Sequence, residues 1–409
     1  MRFFCSLVAT FLCLFAYTDM VSRAAGIHKM HIRHSRPRSQ NPFVPGGPDT
    51  LPAFVDDDRN LKLPAVAGAK VQLFAFRPQS GLEPVVVPAY VDEWFDVADI
   101  DRIRDIKRAV VHTHGQIRDG WAAWKDAADA RAKLDEATQR SVVIVVPQFF
   151  NGSDKDIYHG TGPGSTGNLL VWDLNGWGEG AVNQLPESDT SVSSFEVLDT
   201  LGRYLTDPDL FPRVEHITYS GHSLGGQLTH RYSILGDAEP AHGSTATVSF
   251  VTIDPATSLY FSAERKGPPC AGMNEYKYGF DKLDEHFPTY STVRGALRDF
   301  YQFRYLNQRS SHLIHAGNDH GQGDSRCWAM AQGKDRVERA QNYHDHLRQI
   351  VDTMYPFLPR PREPLDNTTD TKGPYQIGQV TVDWVAGVAH NGAAMVGSLP
   401  GRQRIFLDN

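Results

Sequence analysis

The stretch Val214-Glu215-His216-Ile217-Thr218-Tyr219-Ser220-Gly221-His222-Ser223-Leu224-Gly225-Gly226 decides the reading of this chain. Val214 to Tyr219 predicts a strand, and Gln227 to Leu235 predicts a helix directly behind the glycines. A serine at the tip of so sharp a strand–turn–helix needs small neighbours two positions before and after it. Both are glycine, Gly221 and Gly225. In that setting the Ser223 oxygen projects above the end of the strand, and the N–H of Leu224 points to where an oxyanion would form. His222 lies beside the serine and is expected to line a pocket. A Gly-x-Ser-x-Gly match arises readily by chance in a chain with 35 glycines, so its weight comes from the strand before it and the helix after it.

Working outward, short β-rich runs alternate with helical stretches. Val71 to Phe76 and Val85 to Val91 predict opening strands, and Ala109 to Thr113 a strand ending in His114-Gly115. Ser141 to Pro147 is a continuous β-branched run, the pattern of a strand buried on both faces of a parallel sheet. Gly120 to Thr138, rich in Ala, Trp and charge, reads as the crossover helix between them. Ser193 to Leu205 predicts another helix; Val248 to Ile253, Ser311 to Ala316 and Val380 to Val385 predict the remaining strands. The expected architecture is α/β: one domain over residues 51–409, with a mostly parallel central sheet and helices on both faces. Loop or cap insertions fall around 151–190 and 256–300.

The N-terminus carries Arg2, an apolar run from Phe3 to Tyr17, and small residues at Ser22, Ala24, Ala25 and Gly26. It reads as a signal peptide over residues 1–25, because the run is shorter than the ~20 residues a spanning helix needs. No later segment is apolar enough to cross a bilayer, so the mature chain has no expected transmembrane segment and a secreted, extracellular location. Residues 26–50, with His28, Lys29, His31, Arg33, His34, Arg36 and Arg38 before a Pro/Gly run, read as a flexible basic arm. Removing the leader takes Cys5 and Cys13, and an oxidising compartment favours pairing the remaining Cys270 and Cys327. Asn151 and Asn367 sit in glycosylation sequons. A net charge of −7 gives no reason to expect nucleic acid. No H-E-x-x-H or C-x-x-C is present and no G-x-G-x-x-G opens a helix after a strand, so nothing calls for a metal or organic cofactor.

Four segments carry a resemblance: the turn around Ser223, Ile253-Asp254-Pro255-Ala256-Thr257-Ser258-Leu259-Tyr260, Cys327-Trp328-Ala329-Met330-Ala331-Gln332-Gly333, and Val385 to Met395. Over roughly residues 105 to 400 the chain resembles the α/β-hydrolase superfamily, closest to secreted microbial lipase- or esterase-like serine hydrolases. The resemblance implies a sheet of about eight strands and a triad in the chain order serine, acid, histidine. Ser223 is then the nucleophile, and His390, in the glycine-flanked turn after the last strand, the general base. Asp319, after the strand before last, is the expected acid, with Asp324 in the same loop and Asp254 at the end of an earlier strand as alternatives. The other oxyanion donor is expected at Gly115 or Gln116. Asp254 stands where such relatives are expected to carry asparagine.

The implied chemistry is hydrolysis of a small-molecule, lipid or polymer ester through an acyl-enzyme. An amidase or peptidase on the same scaffold, and a binding protein that has kept the fold without activity, are the two other readings open at this point.

Overall fold

A computed structural model describes residues 51–57, 61–79, 83–158, 167–187, 191–287, 290, 298–358 and 375–408. The expected signal peptide, the basic arm and Asn367 lie outside the described residues.

Ten strands form one sheet: β1 (Ala53–Asp56), β2 (Ala69–Phe76), β3 (Val85–Asp92), β4 (Arg108–Thr113), β5 (Val142–Pro147), β8 (His216–His222), β9 (Thr247–Ile253), β10 (Ser310–Ala316), β11 (Tyr375–Ile377) and β12 (Val380–Val385). Two further short strands, β6 (Phe150–Asn151) and β7 (Val171–Trp172), make a separate parallel pair. The order across the main sheet is β1-β2-β3-β5-β4-β8-β9-β10-β12-β11. The pairs from β5 through β4, β8, β9 and β10 to β12 are all parallel; β2 and β3 run antiparallel at one side. The eight strands of the expectation are thus present, and the short strands β1 and β11 add antiparallel edges to them.

β5 lies between β3 and β4, and all six of its residues are buried, which is why its sequence is uninterrupted Val and Ile up to Pro147. Alternation along β4 shows how the sheet separates two cores. Ala109 and Val111 join one apolar cluster with Leu198 and Leu201 of helix α2 (Ser194–Leu205). Val110 joins the other with Trp124 and Ala127 of helix α1 (Gly120–Arg131). The crossover helix expected over Gly120 to Thr138 is interrupted. α1 stops at Arg131, and Asp135 starts a separate short helix at Glu136–Arg140 by accepting the Thr138 N–H.

Register is what this sheet supplies to function. Thr113 pairs with Gly221, His222 with Ile253, Ile253 with Ile314, and Ala316 with Val385. The carboxyl ends of β4, β8, β9, β10 and β12 therefore lie side by side. Ligand sites of open parallel sheets form in the crevice outside such ends.

Helix α3 (Leu224–Leu235) begins directly after Ser223, three residues earlier than the sequence suggests, because the turn has no loop of its own. Its first turn lies on strand backbone: a Cβ on Gly225 would overlap the Thr113 carbonyl oxygen, and one on Gly226 the Ile253 carbonyl oxygen. We expect Gly225→Ala to lose roughly 3 kcal/mol, the upper part of the range for an overpacked interior, since the obstacle is backbone rather than a yielding side chain. Urea unfolding followed by circular dichroism measures this; an unchanged midpoint would show that the elbow is looser than described.

Candidate active site

Ser223 has φ 60° and ψ −118°, a conformation that costs a non-glycine residue strain energy. Its own N–H donates to the Ile253 carbonyl oxygen at 3.0 Å, which ties the turn to the end of β9. A Cβ on Gly221 would overlap the Gly225 carbonyl oxygen, so both glycines flanking the serine are required by close approach.

The last strand, β12, leads into a turn that brings His390 over the serine. Nε2 of His390 lies 2.8 Å from Ser223 Oγ, and its Nδ1 lies 2.8 Å from Asp254 Oδ2. Asp319 Oδ2 is also 2.8 Å from the same Nδ1. Of the two, Asp254 has the hydrogen-bonding geometry, while Asp319 Oδ2 is an ion-pair neighbour that completes no hydrogen bond. The expected acid, Asp319, thus shares its place with Asp254, the residue after β9. Asp324, the third candidate, has its carboxylate engaged by Arg326 at 2.7 Å and by the Tyr278 hydroxyl at 2.7 Å.

The two carboxylates differ in their remaining partners, and that separates their charges. Asp254 Oδ1 accepts the Ala316 N–H at 3.2 Å, and no cation other than His390 reaches it. Burial pushes its pKa up to about 6, and the neighbouring Asp319 adds to the rise against the pull of His390. Asp319 Oδ1 accepts from the Gly321 N–H and from Arg336 Nη1, both at 3.1 Å. Burial opposes its ionisation, but the adjacent His390 and Asp254 side chains and the charge of Arg336 hold it well below the usual carboxylate range. At His390 burial works downward, and the two aspartates outweigh it, so the imidazole titrates above its ordinary value.

His222 packs its ring against His390, with centroids 4.6 Å apart and planes 36° from parallel. Burial, then the charge of His390, drives its pKa down to about 3, so it stays neutral and adds no positive charge beside His390. As expected from the sequence it lines a cavity at the serine.

Gly115 and Gln116 follow β4. A Cβ on Gly115 would stand 3.7 Å from Ser223 Cβ, in ordinary contact, which places this backbone directly beside the serine. The preceding histidine orients this backbone. His114 Nε2 accepts the Phe149 N–H at 3.0 Å, which places its proton on Nδ1, and that N–H donates to the Gly115 carbonyl oxygen at 2.9 Å. Because a trans peptide points its N–H opposite its carbonyl, the Gln116 N–H faces away from His114. Burial lowers the His114 pKa to about 4, keeping this arrangement neutral.

Several other expectations change. His344 and His346, whose sequence neighbours are charged and suggest a solvated helix, are buried in α4 (Arg336–Met354): His344 Nε2 is 3.1 Å from His315 Nε2, and His346 Nε2 accepts the Phe261 N–H at 3.1 Å. Asn151, a glycosylation candidate, is 4% exposed; its amide donates to the Leu174 carbonyl oxygen and its oxygen accepts the Ser153 N–H, so no glycan can reach it. Trp172 and Trp177 are core residues, Trp177 stacked on Phe149. Cys270 and Cys327 are joined, with Cα atoms 6.0 Å apart, linking the insert after β9 to the chain after Asp319. Arg336 was not singled out in the sequence at all, since no motif marks a lone arginine at a helix start.

Comparison with solved structures agrees with this architecture. The chain is similar to a poly(aspartic acid) hydrolase from Sphingomonas sp. KT-1, with 16% identity over 83% of this chain and 98% of that one, and a TM-score of 0.50. The chain has the α/β-hydrolase fold. A poly(3-hydroxybutyrate) depolymerase from Bordetella parapertussis aligns at 18% identity over 81% of this chain and 87% of its own, with a TM-score of 0.48. No protein-family model and no curated protein matches the sequence. No helix among the described residues is long and apolar enough to cross a membrane.

With two carboxylates against one imidazole N–H, the two acids are expected to substitute for each other. Losing the carboxylate that orients a catalytic histidine costs roughly 10⁴ in kcat where it stands alone. Here Asp254→Asn and Asp319→Asn should each lose clearly less than that, and the double substitution should approach it. Steady-state kinetics on the three variants decides; a full loss in either single variant would identify a sole acid.

Proposed function

We propose that this chain is a serine hydrolase that cleaves carboxylic esters through an acyl-enzyme on Ser223. The observation that carries the proposal is the 2.8 Å contact between Ser223 Oγ and His390 Nε2, at the tip of a strained turn and with His390 Nδ1 held by carboxylate. A serine hydroxyl becomes an effective nucleophile only when a base in hydrogen-bond reach takes its proton.

In the proposed reaction Ser223 Oγ attacks the ester carbonyl while His390 Nε2 takes the hydroxyl proton. Asp254 and Asp319 hold the Nδ1 proton in place and stabilise the imidazolium as it forms. The oxyanion is received by the N–H of Leu224, which starts α3 and so has no partner inside the helix, and by the N–H of Gln116. His390 then hands its proton to the departing alcohol, and a water molecule repeats the sequence on the acyl-enzyme. Esters are preferred to amides in this reading because the alkoxide leaves more readily than an amine. The joined Cys270 and Cys327, together with the apolar N-terminal run, support secretion through an oxidising compartment.

Hydrolysis of p-nitrophenyl acetate by the wild type, and its loss by at least roughly 10³-fold in a folded Ser223→Ala variant, is the expected outcome. Equal rates in both would remove Ser223 from the mechanism. The pH profile follows from the sign of the histidine shift. The working base is neutral imidazole and its pKa is raised above 6.5, so kcat/KM should be lost as pH falls through a midpoint above 6.5. Asp254→Asn removes an upward influence and should move that midpoint to lower pH. A midpoint below 6.5 in the wild type would contradict the arrangement.

A further inference from the structure

Two cavities open on Ser223, one of about 610 Å³ and one of about 370 Å³, and both are lined by Gln116, Ser223 and Arg336. The serine therefore stands between two spaces, room enough for substantial groups on both sides of a scissile bond. The walls of the larger space are unusual for a lipid site. Its cations are Lys277, Arg326 and Arg336, and its carboxylates Asp173, Glu179 and Asp324. Lys277 pairs with Glu179, Arg326 with Asp324, and Arg336 reaches out of the lining to Asp319. Among the described lining residues three cations stand against three carboxylates, with His286 beside Glu179, which leaves little net charge to attract an anion. What remains is a surface of hydrogen-bond donors and acceptors. Apolar side chains, Leu174, Ala181, Val182, Leu224 and Ala256, are interspersed with it, but the wall is more polar than apolar.

We infer that the larger space receives a neutral, oxygen-rich part of the substrate, such as a hydroxylated or ether-bearing chain, and that the enzyme discriminates against fatty acyl or alkyl chains. This rests on the ester-hydrolase reading of Ser223. The physical reason is desolvation. An alkyl chain entering the space displaces water from the ion pairs and returns none of the hydrogen bonds, whereas ether and hydroxyl oxygens accept them. An apolar acyl pocket gains binding with each methylene it covers, worth about fourfold in kcat/KM per carbon when the gain is realised in the transition state. A wall of ion pairs cannot return that gain. Arg231 fixes this wall from below. It is fully buried and donates to the Gly178 carbonyl oxygen at 2.8 Å, the Gln227 Oε1 at 3.0 Å and the Thr257 hydroxyl at 3.1 Å, so Gln227 at the floor is not free to swing aside for a chain.

The test uses the whole protein and length-matched esters. On the acid side, p-nitrophenyl heptanoate is compared with p-nitrophenyl 3,6-dioxaheptanoate; on the alcohol side, pentyl acetate is compared with 2-ethoxyethyl-chain acetates of matched length. The expected result is a tenfold or greater preference in kcat/KM for the ether ester in at least one pair, with no gain from p-nitrophenyl acetate to octanoate. A rise of about fourfold per methylene, or preference for the alkyl ester in both pairs, overturns the inference while leaving the serine mechanism intact. Absence of turnover on every ester, together with no phosphonate adduct on Ser223, would instead defeat the ester-hydrolase reading itself. Exchanging the rim pair for apolar residues, D324L with R326M, should reduce the ether preference at least tenfold. An unchanged ratio in that folded variant also counts against the inference, and the wild-type series stands even where the variant does not fold.

Discussion

The contact between Ser223 and His390 joins residues 167 positions apart, and nothing local to either one holds it. It depends on five parallel strands ending at the same height. Were β12 to slip against β10, the turn carrying His390 would move by at least the ~3.3 Å rise of one residue, beyond hydrogen-bond reach of the serine. The apolar clusters packed on opposite faces of β4 help to fix the register of the sheet, because slipping a strand by one residue exchanges its two faces. The strain at Ser223 is sustained in the same way. The bond from its N–H to the Ile253 carbonyl oxygen and the glycines beneath α3 over-determine the turn.

A second constraint is electrostatic. Two carboxylates at 2.8 Å from one nitrogen repel each other, and placing both in a low-dielectric interior is costly. The fold answers by giving them different surroundings. Asp319 has Arg336 and a backbone N–H, while Asp254 has only the imidazole and the Ala316 N–H. One acid is therefore firmly ionised and the other holds a proton more readily. Together they raise the affinity of His390 for protons, which suits the role of general base proposed for it. His222, neutral against the same ring, excludes water from that side without competing for the charge.

Much of this is legible in the chain because it is local. The Gly221–Gly226 turn, the run Ser141 to Pro147 and the His114-Gly115 strand end each carry their meaning within a dozen residues, and the structure places Ser223, His390, Gly115, Gln116 and Leu224 around one cavity system. The division of labour between Asp254 and Asp319 is not local. Both follow strands, and only the distance of each to a histidine more than seventy residues away, and the company each keeps, sets them apart. The same limit explains His344 and His346. Their neighbours in sequence are charged, but the helical face they occupy packs on β10 and on the chain after β9. Asn151 matches a sequon yet serves as a cap for its own turn. The ion-paired wall formed by Glu179, Lys277, Asp324 and Arg326 comes from three separate segments, and no spacing in the sequence joins them.

The most direct test of the central claim is peptide mapping by mass spectrometry after treatment of the native protein with a fluorophosphonate. The account predicts a single stoichiometric adduct on the peptide containing Ser223, lost when His390 is replaced by alanine in a protein that remains folded. An adduct on another serine, or none on a folded wild-type chain, would contradict the claim that the carboxyl ends of these strands assemble an activated nucleophile.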